Sequence, residues 1–338
     1  MRPLRILALV HKHLVPPADT TNVDVINAEW KMEFDVTSTL ELLGHEVKIV
    51  GIKDDLGVIR AAAEEFKPQI VFNLLENFAD VTTFDQNVVS YLELLRLPYT
   101  GCNPRGLTLA RDKSLSKKLL AYHRIPVPDF IVVPRGRRPR LPKRLCYPLI
   151  VKSLVYEASA GISQASVVEN DQQLARRVEF VHDSYGPAIV ERFIDGRELY
   201  VGLMGNDRLQ VFPVWEMSFA NMPDNARRIA TERVKWSTSY QQRHGIMTDE
   251  ARLPPDEGHR LQHLAKRVYR ALDLSGYARI DVRLDPEGRP SVIEANPNPQ
   301  LAYGEDFAES AEKAGISYEQ LLERIIALGL HWQPDRSA

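Results

Sequence analysis

The segment from Gly276 to Pro299, GYARIDVRLDPEGRPSVIEANPNP, gathers more chemistry than any other part of the chain. Asp285-Pro286-Glu287-Gly288 is a tight-turn composition between two runs of strand-forming residues. With those residues as the loop, Leu284 faces Arg289 and Arg279 falls opposite Glu294. Side chains alternate along a strand, and opposed residues share a face. Arg279, Asp281, Glu294 and Asn296 then project from one face, and Ile280, Val282, Ile293 and Ala295 from the other. The apolar face must pack. The polar face carries carboxylates, a carboxamide and a guanidinium, oxygen donors that suit Mg²⁺, which takes one or two carboxylates and completes its octahedron with water and substrate phosphates. A solvated hairpin face with an arginine–carboxylate pair is the plainer alternative. A one-residue change in the turn would split the cluster between faces.

Three further groups add to it. Lys113, in ARDKSLSKKLL, opens a helical pattern, and Lys152, in YPLIVKS, ends an apolar strand. A lysine in such a strand is costly to bury unless it meets an anion, of which phosphate is the usual one. In VERFIDGRE, Glu191 and Glu198 flank a turn whose backbone can face a purine edge, with Phe193 or Ile194 against the ring and Glu198 on ribose hydroxyls. Lys235 lies in a polar stretch with Arg227, Arg228 and Arg233, a cationic loop suited to closing over phosphates. Each of these groups alone also reads as an ordinary solvated surface.

The elements that must position these residues begin as an alternation of strand and helix. Apolar runs at Leu4–Val10, Val47–Val50 and Gln69–Leu74 read as strands. Helical patterns fall at Phe34–Leu43, about 55–66 and Phe84–Leu95. Such alternation implies parallel strands with crossover helices, but no G-x-G-x-x-G fingerprint marks a dinucleotide site. Beyond it come a helix over 113–124, strands at Leu149–Lys152 and Ser166–Val168, and a helix at Asp171–Val181. Strands at Ala188–Phe193, Glu198–Met204 and Leu209–Val214 follow. A stretch from about Ser218 to Arg252 lacks strong periodicity and reads as a functional loop or a disordered segment. Apolar stripes at Leu261, Leu264, Val268 and Leu272, and at Tyr318, Leu321, Leu322 and Ile325, mark two last helices. The basic, proline-rich Pro134–Lys143 reads as an exposed connector.

Composition sets outer bounds. A length of 338 residues implies about two to three domains. A net charge of −2 gives no global field for nucleic acid or an anionic membrane. No run approaches the roughly 20 apolar residues that span a bilayer. Two cysteines form no metal or disulfide framework, so a cytoplasmic setting is expected.

The order of these segments resembles the ATP-grasp superfamily and, within it, the D-alanine–D-alanine ligase-like enzymes. RDKSLSKKLLAYHRIPVP is followed by PLIVKS with a small-residue loop EASAGIS, then IVERFIDGREL, VKW, and GYARIDVRLD…SVIEANPNP. The resemblance covers about Gly101 to the C-terminus; before that it is a matter of layout. It implies an α/β Rossmann-like (pre-ATP-grasp) domain over 1–112, followed by an α+β ATP-grasp fold of two subdomains, 113–197 and 198–333. It implies a ligase that uses ATP and Mg²⁺ (two ions, with Mn²⁺ as a substitute) to join a carboxylate and an amine through an acyl phosphate. Small amino-acid or peptide substrates are implied as partners, without nucleic acid or membrane, and a homodimer is common in the family.

Position by position, Lys113 and Lys152 look like phosphate-contacting lysines, and Ser159, Ala160 and Gly161 like the loop over the phosphates. Glu191 with the Arg192–Phe193–Ile194 backbone resembles the adenine-reading hinge, and Glu198 the ribose acid. Asp281, Glu294 and Asn296 match the metal ligands, Lys235 the lysine near the γ-phosphate, and Arg279 the arginine that stabilises a tetrahedral intermediate. The substrate end departs from the pattern. Asn-Thr-x-Pro-Gly is replaced by Asn296-Pro297-Asn298-Pro299-Gln300, and Trp236 stands where a tyrosine follows the loop lysine. Glu305 and Asp306 stand where a serine would meet a carboxylate. Glu29 or Glu33 is the available acid for a substrate ammonium. Substrate-end candidates are therefore Asn298, Gln300, Glu305 and Glu33. An authentic D-alanine–D-alanine ligase is the alternative substrate reading. A nucleotide-binding protein without catalysis is the alternative class, opposed by Arg279 and Lys235.

Overall fold

The structure, a computed structural model, describes residues 2–156, 159–223 and 226–334, without the side chain of Trp236. Glu157 and Ala158, which open the small-residue loop, lie outside the described residues. The first layer runs β1 (Arg5–His11), α1 (Lys31–Leu42), β2 (Glu46–Ile52), α2 (Gly57–Phe66), β3 (Ile70–Asn73) and α3 (Asp85–Leu94). Its sheet is parallel, in the order β2-β1-β3. Ile6–Val10 of the central strand are fully buried, as a strand covered on both faces requires. The strand order reverses between β1 and β3, and in open α/β sheets the crevice at such a point is where ligands bind.

Two helices lead onward, α4 (Pro104–Arg111) and α5 (Lys113–Tyr122). Asn103 caps the first by accepting from Gly106 N–H, and Asp112 caps the second by accepting from Ser114 and Leu115 N–H. Sequence reading missed α4, although Asn-Pro is an N-cap followed by a proline at the first helical position. Next come β4 (Phe130–Val133), β5 (Leu149–Ser153), β6 (Val167–Val168), α6 (Asp171–Tyr185) and β7 (Ala188–Arg192). These strands form an antiparallel sheet in the order β4-β7-β5-β6.

The remaining elements are β8 (Arg197–Met204), β9 (Gln210–Phe219), α7 (Glu232–Trp236), α8 (Thr238–His244), β10 (Ile246–Glu250), α9 (Pro255–Ala271), β11 (Tyr277–Leu284), β12 (Pro290–Pro297), α10 (Asp306–Lys313) and α11 (Tyr318–His331). Their antiparallel sheet runs β10-β9-β8-β11-β12. The stretch over 218–252 is therefore not one long loop. Thr231 caps α7, Ser237 caps α8, and β10 pairs with β9. These elements are short and largely exposed, so they carry too few apolar residues to show a period.

The final helix closes the molecule. Leu321, Leu322, Ile325 and Ile326 of α11 pack with Ile6, Val10, Ile70 and Phe72 of the first sheet and with Leu301 and Phe307.

The hairpin corrects its expected register. Leu284 pairs with Pro290, Asp281 with Glu294 and Arg279 with Asn296, with a register shift between Asp281 and Val282. The loop is one residue longer than expected, and Ile293 is an extra, bulged residue in β12. Two one-residue slips add to two, which restores parity, so Arg279, Asp281, Glu294 and Asn296 still share a face. Ile293 leaves the apolar face assigned to it. Val292 replaces it beside Val282 and Ala295, and Ile293 lines the cleft instead.

Candidate active site

A cleft lies between the two antiparallel sheets, lined by Lys113, Lys152, Glu191, Lys235, Asp281 and Glu294 among others. Its polar floor is the β11–β12 face. Arg279 donates to both oxygens of Asp281, from Nε at 2.8 Å and from Nη2 at 3.0 Å. Its guanidinium stacks 4.6 Å from the centre of the Tyr200 ring, and Nη1 lies 3.8 Å from Asp306. This bidentate, stacked geometry fixes the arginine's plane.

Glu294 sits across from Asp281 and receives Lys113 Nζ at 3.7 Å. Burial alone would raise the Glu294 carboxyl, but Lys113, Lys235 and Lys152 outweigh it and hold it down to about 2. Asp281 moves the other way: burial pushes it up and the Glu294 charge adds to that, against the pull of Arg279. The buried Nδ2 of Asn296 has no hydrogen-bond partner among the described residues. Among the described residues no three His, Cys, Asp or Glu side chains form a metal cage. Two carboxylates and a carboxamide on one face fit Mg²⁺ completed by phosphate oxygens and water, not a closed protein site.

The opposite wall of the cleft is built from the second sheet. Ile150, Phe193 and Ile229 form a small apolar cluster along the cleft, a wall suited to a flat ring. Glu191 is nearly fully buried, its Oε1 3.2 Å from Lys117 Nζ and its Oε2 3.1 Å from Lys152 Nζ. Burial would raise its carboxyl, but the two lysines reverse the shift. Its side chain is thus engaged by lysines, while Arg192, Phe193 and Ile194 line the cleft beside it. Glu198 is held by Arg283 Nη2 and by Tyr200 Oη at 3.0 Å. Lys117 and Arg283 were missed in the sequence, because a lysine in KSLSKKLL and an arginine near the end of a strand read as solvent-facing. Only the partners they meet in three dimensions set them apart.

The loops above the cleft touch. Ser159 Oγ donates to Ala230 O at 2.6 Å, Gly161 N–H to Glu232 Oε2 at 3.1 Å, and Glu232 N–H to Ile162 O at 3.0 Å. Gly161 has φ +67°, and a Cβ there would come within 2.4 Å of the Tyr185 ring. Gly161→Ala is therefore expected to displace the loop and to cost about 1–3 kcal/mol in stability. A thermal melt measures the cost.

At the far end the predicted substrate residues separate. Asn298, at φ +56°, accepts from Cys102 N–H at 2.8 Å, so its side chain latches β12 to the α4 loop instead of standing free. Gln300 is half-buried, and Glu305 is exposed at the head of α10 with Asp306 beside it. Glu33 is 1% exposed, and neither carboxylate oxygen has a hydrogen-bond partner on another residue among the described residues. Burial, with the Glu76 charge added, pushes it up to about 7.

Comparison with known proteins agrees with this layout. The D-ala D-ala ligase C-terminus family matches residues 119–327. The chain belongs to that family. It is 30% identical to the uncharacterized protein y4sG of Sinorhizobium fredii over 86% of this chain and 85% of that one. It is 31% identical to a D-alanine–D-alanine ligase of Haemophilus influenzae, over 73% and 79%. The D-alanine–D-alanine ligase of Bacillus anthracis, solved with ATP, superposes with a TM-score of 0.74 over 97% of both chains at 22% identity. The fold is accordingly ATP-grasp behind an α/β layer, and the chain is an ATP-dependent C–N ligase of D-alanine–D-alanine ligase type. Among the described residues no helix is long and apolar enough to cross a membrane.

Proposed function

We propose that this ligase joins an amino-acid or small-peptide carboxylate to an amine through an acyl phosphate. The observation that carries the reading is the pairing of Asp281 with Glu294 on the face that holds Arg279, across a cleft from Lys113 and Lys152. Asp281, Glu294 and Asn296 would hold Mg²⁺, as two ions or with Mn²⁺ in its place, and the metal supplies charge neutralisation at the β- and γ-phosphates. Lys113, Lys152 and the Ser159–Ala160–Gly161 loop hold phosphates in line, and Lys235 reaches the γ-phosphate. Arg192, Phe193 and Ile194 seat the adenine, Glu191 balances the charge of Lys117 and Lys152, and Glu198 takes the ribose. Arg279 stabilises the oxyanion formed when the amine attacks.

The substrate end favours amines over carboxylates. Asp281 and Asp306 already flank Arg279, and Glu305 adds negative charge, so a second substrate with a free carboxylate is repelled there. Glu33 would receive an ammonium, and Asn298 and Gln300 would contact the same substrate. An authentic D-alanine–D-alanine ligase remains a second reading, supported by the names of the relatives.

A phosphate-release screen with Mg·ATP over D- and L-amino acids, their amides and diamines tests both. Release that requires a carboxylate and a carboxylate-free amine supports the proposal. Efficient turnover with D-alanine alone selects the second reading. Purified protein that binds no Mg·ATP rejects both.

A further inference from the structure

We infer that Lys117 is a positioning residue that fixes the register of β12 and thereby aims Glu294 at the metal site, an inference that rests on the ligase reading. The hairpin loop sets its two strands one residue out of the register that would place Glu294 on the cleft face, and the extra residue Ile293 absorbs the slip. Without that bulge, Glu294 would point into the apolar core and Ala295 into the cleft. A bulged residue leaves backbone groups outside the strand ladder, and these must be satisfied elsewhere.

Lys117 provides that satisfaction. Its Nζ donates to Ile293 O at 2.6 Å and lies 3.2 Å from Glu191 Oε1. The side chain is nearly inaccessible and is not among the residues lining the cleft, so it acts on the nucleotide and metal only through these partners. Burying an ammonium costs several kcal/mol and persists where its donors are used. Lys117 also lies one helical turn from Lys113, whose Nζ approaches Glu294 itself. A single helix face thus grips both the bulge and the carboxylate that the bulge aims.

A role limited to neutralising Glu191 is distinguishable. Lys117→Met should weaken Mn²⁺ binding to the ADP complex at least ~10-fold, read by electron paramagnetic resonance, as expected for outer partners of a metal site. Calorimetry of ADP binding without metal should change less than ~3-fold. Glu191→Gln keeps the Lys117–Ile293 bond, so its ADP complex should retain Mn²⁺ affinity within ~3-fold even though ADP binds more weakly. Equal losses of metal and nucleotide binding in Lys117→Met would overturn the inference. So would a ~10-fold loss of metal affinity in Glu191→Gln, which keeps a test available if Lys117→Met does not fold. Wild-type protein that binds no Mn·ADP would instead reject the ligase reading beneath it.

Discussion

Glu294→Gln is expected to lower the rate of Mg·ATP-dependent phosphate release at least ~10³-fold, a loss of about 4 kcal/mol in transition-state stabilisation. The size follows from where the charge sits. Glu294 is nearly isosteric with glutamine, so the fold should persist. The variant nevertheless removes one of two facing carboxylates, and it leaves Lys113, Lys152 and Lys235 converging without an opposing charge on that strand. The remaining carboxylate, Asp281, already gives both oxygens to Arg279. A cation would then have to compete with the guanidinium for the same oxygens. Metal dependence should show this directly: raising Mg²⁺ should restore little, because the missing ligand and not occupancy alone limits the rate. Phosphate release within ~10-fold of wild type would remove Glu294 from the metal face.

The second large effect concerns stability against pH. Glu33 is raised from 4.5 to about 7 in the folded chain, so the native state holds its proton more tightly than the unfolded state. The sign follows from linkage. Its contribution is fully present below pH 4.5 and is lost as pH rises through about 7, with a total of ~3 kcal/mol. His11 and His45 are both lowered by burial and act in the opposite direction at mildly acidic pH. The comparison must therefore be made against Glu33→Gln, which keeps those histidines and lacks only the carboxyl. Urea unfolding at pH 5, 7 and 9 should show wild type losing ground to the variant as pH rises. An amine-bearing substrate that pairs with Glu33 should cancel the wild-type loss at pH 9. Parallel curves for the two proteins would mean that Glu33 is not the origin. Without substrate the residue is costly, a pattern typical of sites kept for a ligand.

Much of this site was legible because it lies on strands. Alternation alone places Arg279 and Asp281 on one face, whatever the partner strand does. The partner's register was not legible, since it depends on a loop one residue longer than its turn residues suggest and on a bulge with no sequence mark. The face survived because the two errors cancelled. The helices α7 and α8 were hidden for a different reason: they lie largely exposed, and their signals are the caps Thr231 and Ser237 and not an apolar stripe. Glu191 shows the opposite limit. Its place beside the hinge was evident, but its buried pairing with Lys117 joins residues far apart in the chain.

The helix that closes the first sheet has a consequence for how the protein is made. Leu321, Leu322, Ile325 and Ile326 are fully buried, each worth about 1.5–3 kcal/mol. Together they rival the ~5–15 kcal/mol that holds a typical domain folded. Their partners, Ile6, Val10, Ile70 and Phe72, leave the ribosome hundreds of residues earlier. During synthesis these strands have only α1 on that apolar side until a helix made hundreds of residues later arrives, and that interval is when the nascent chain is most exposed to aggregation and most dependent on chaperones.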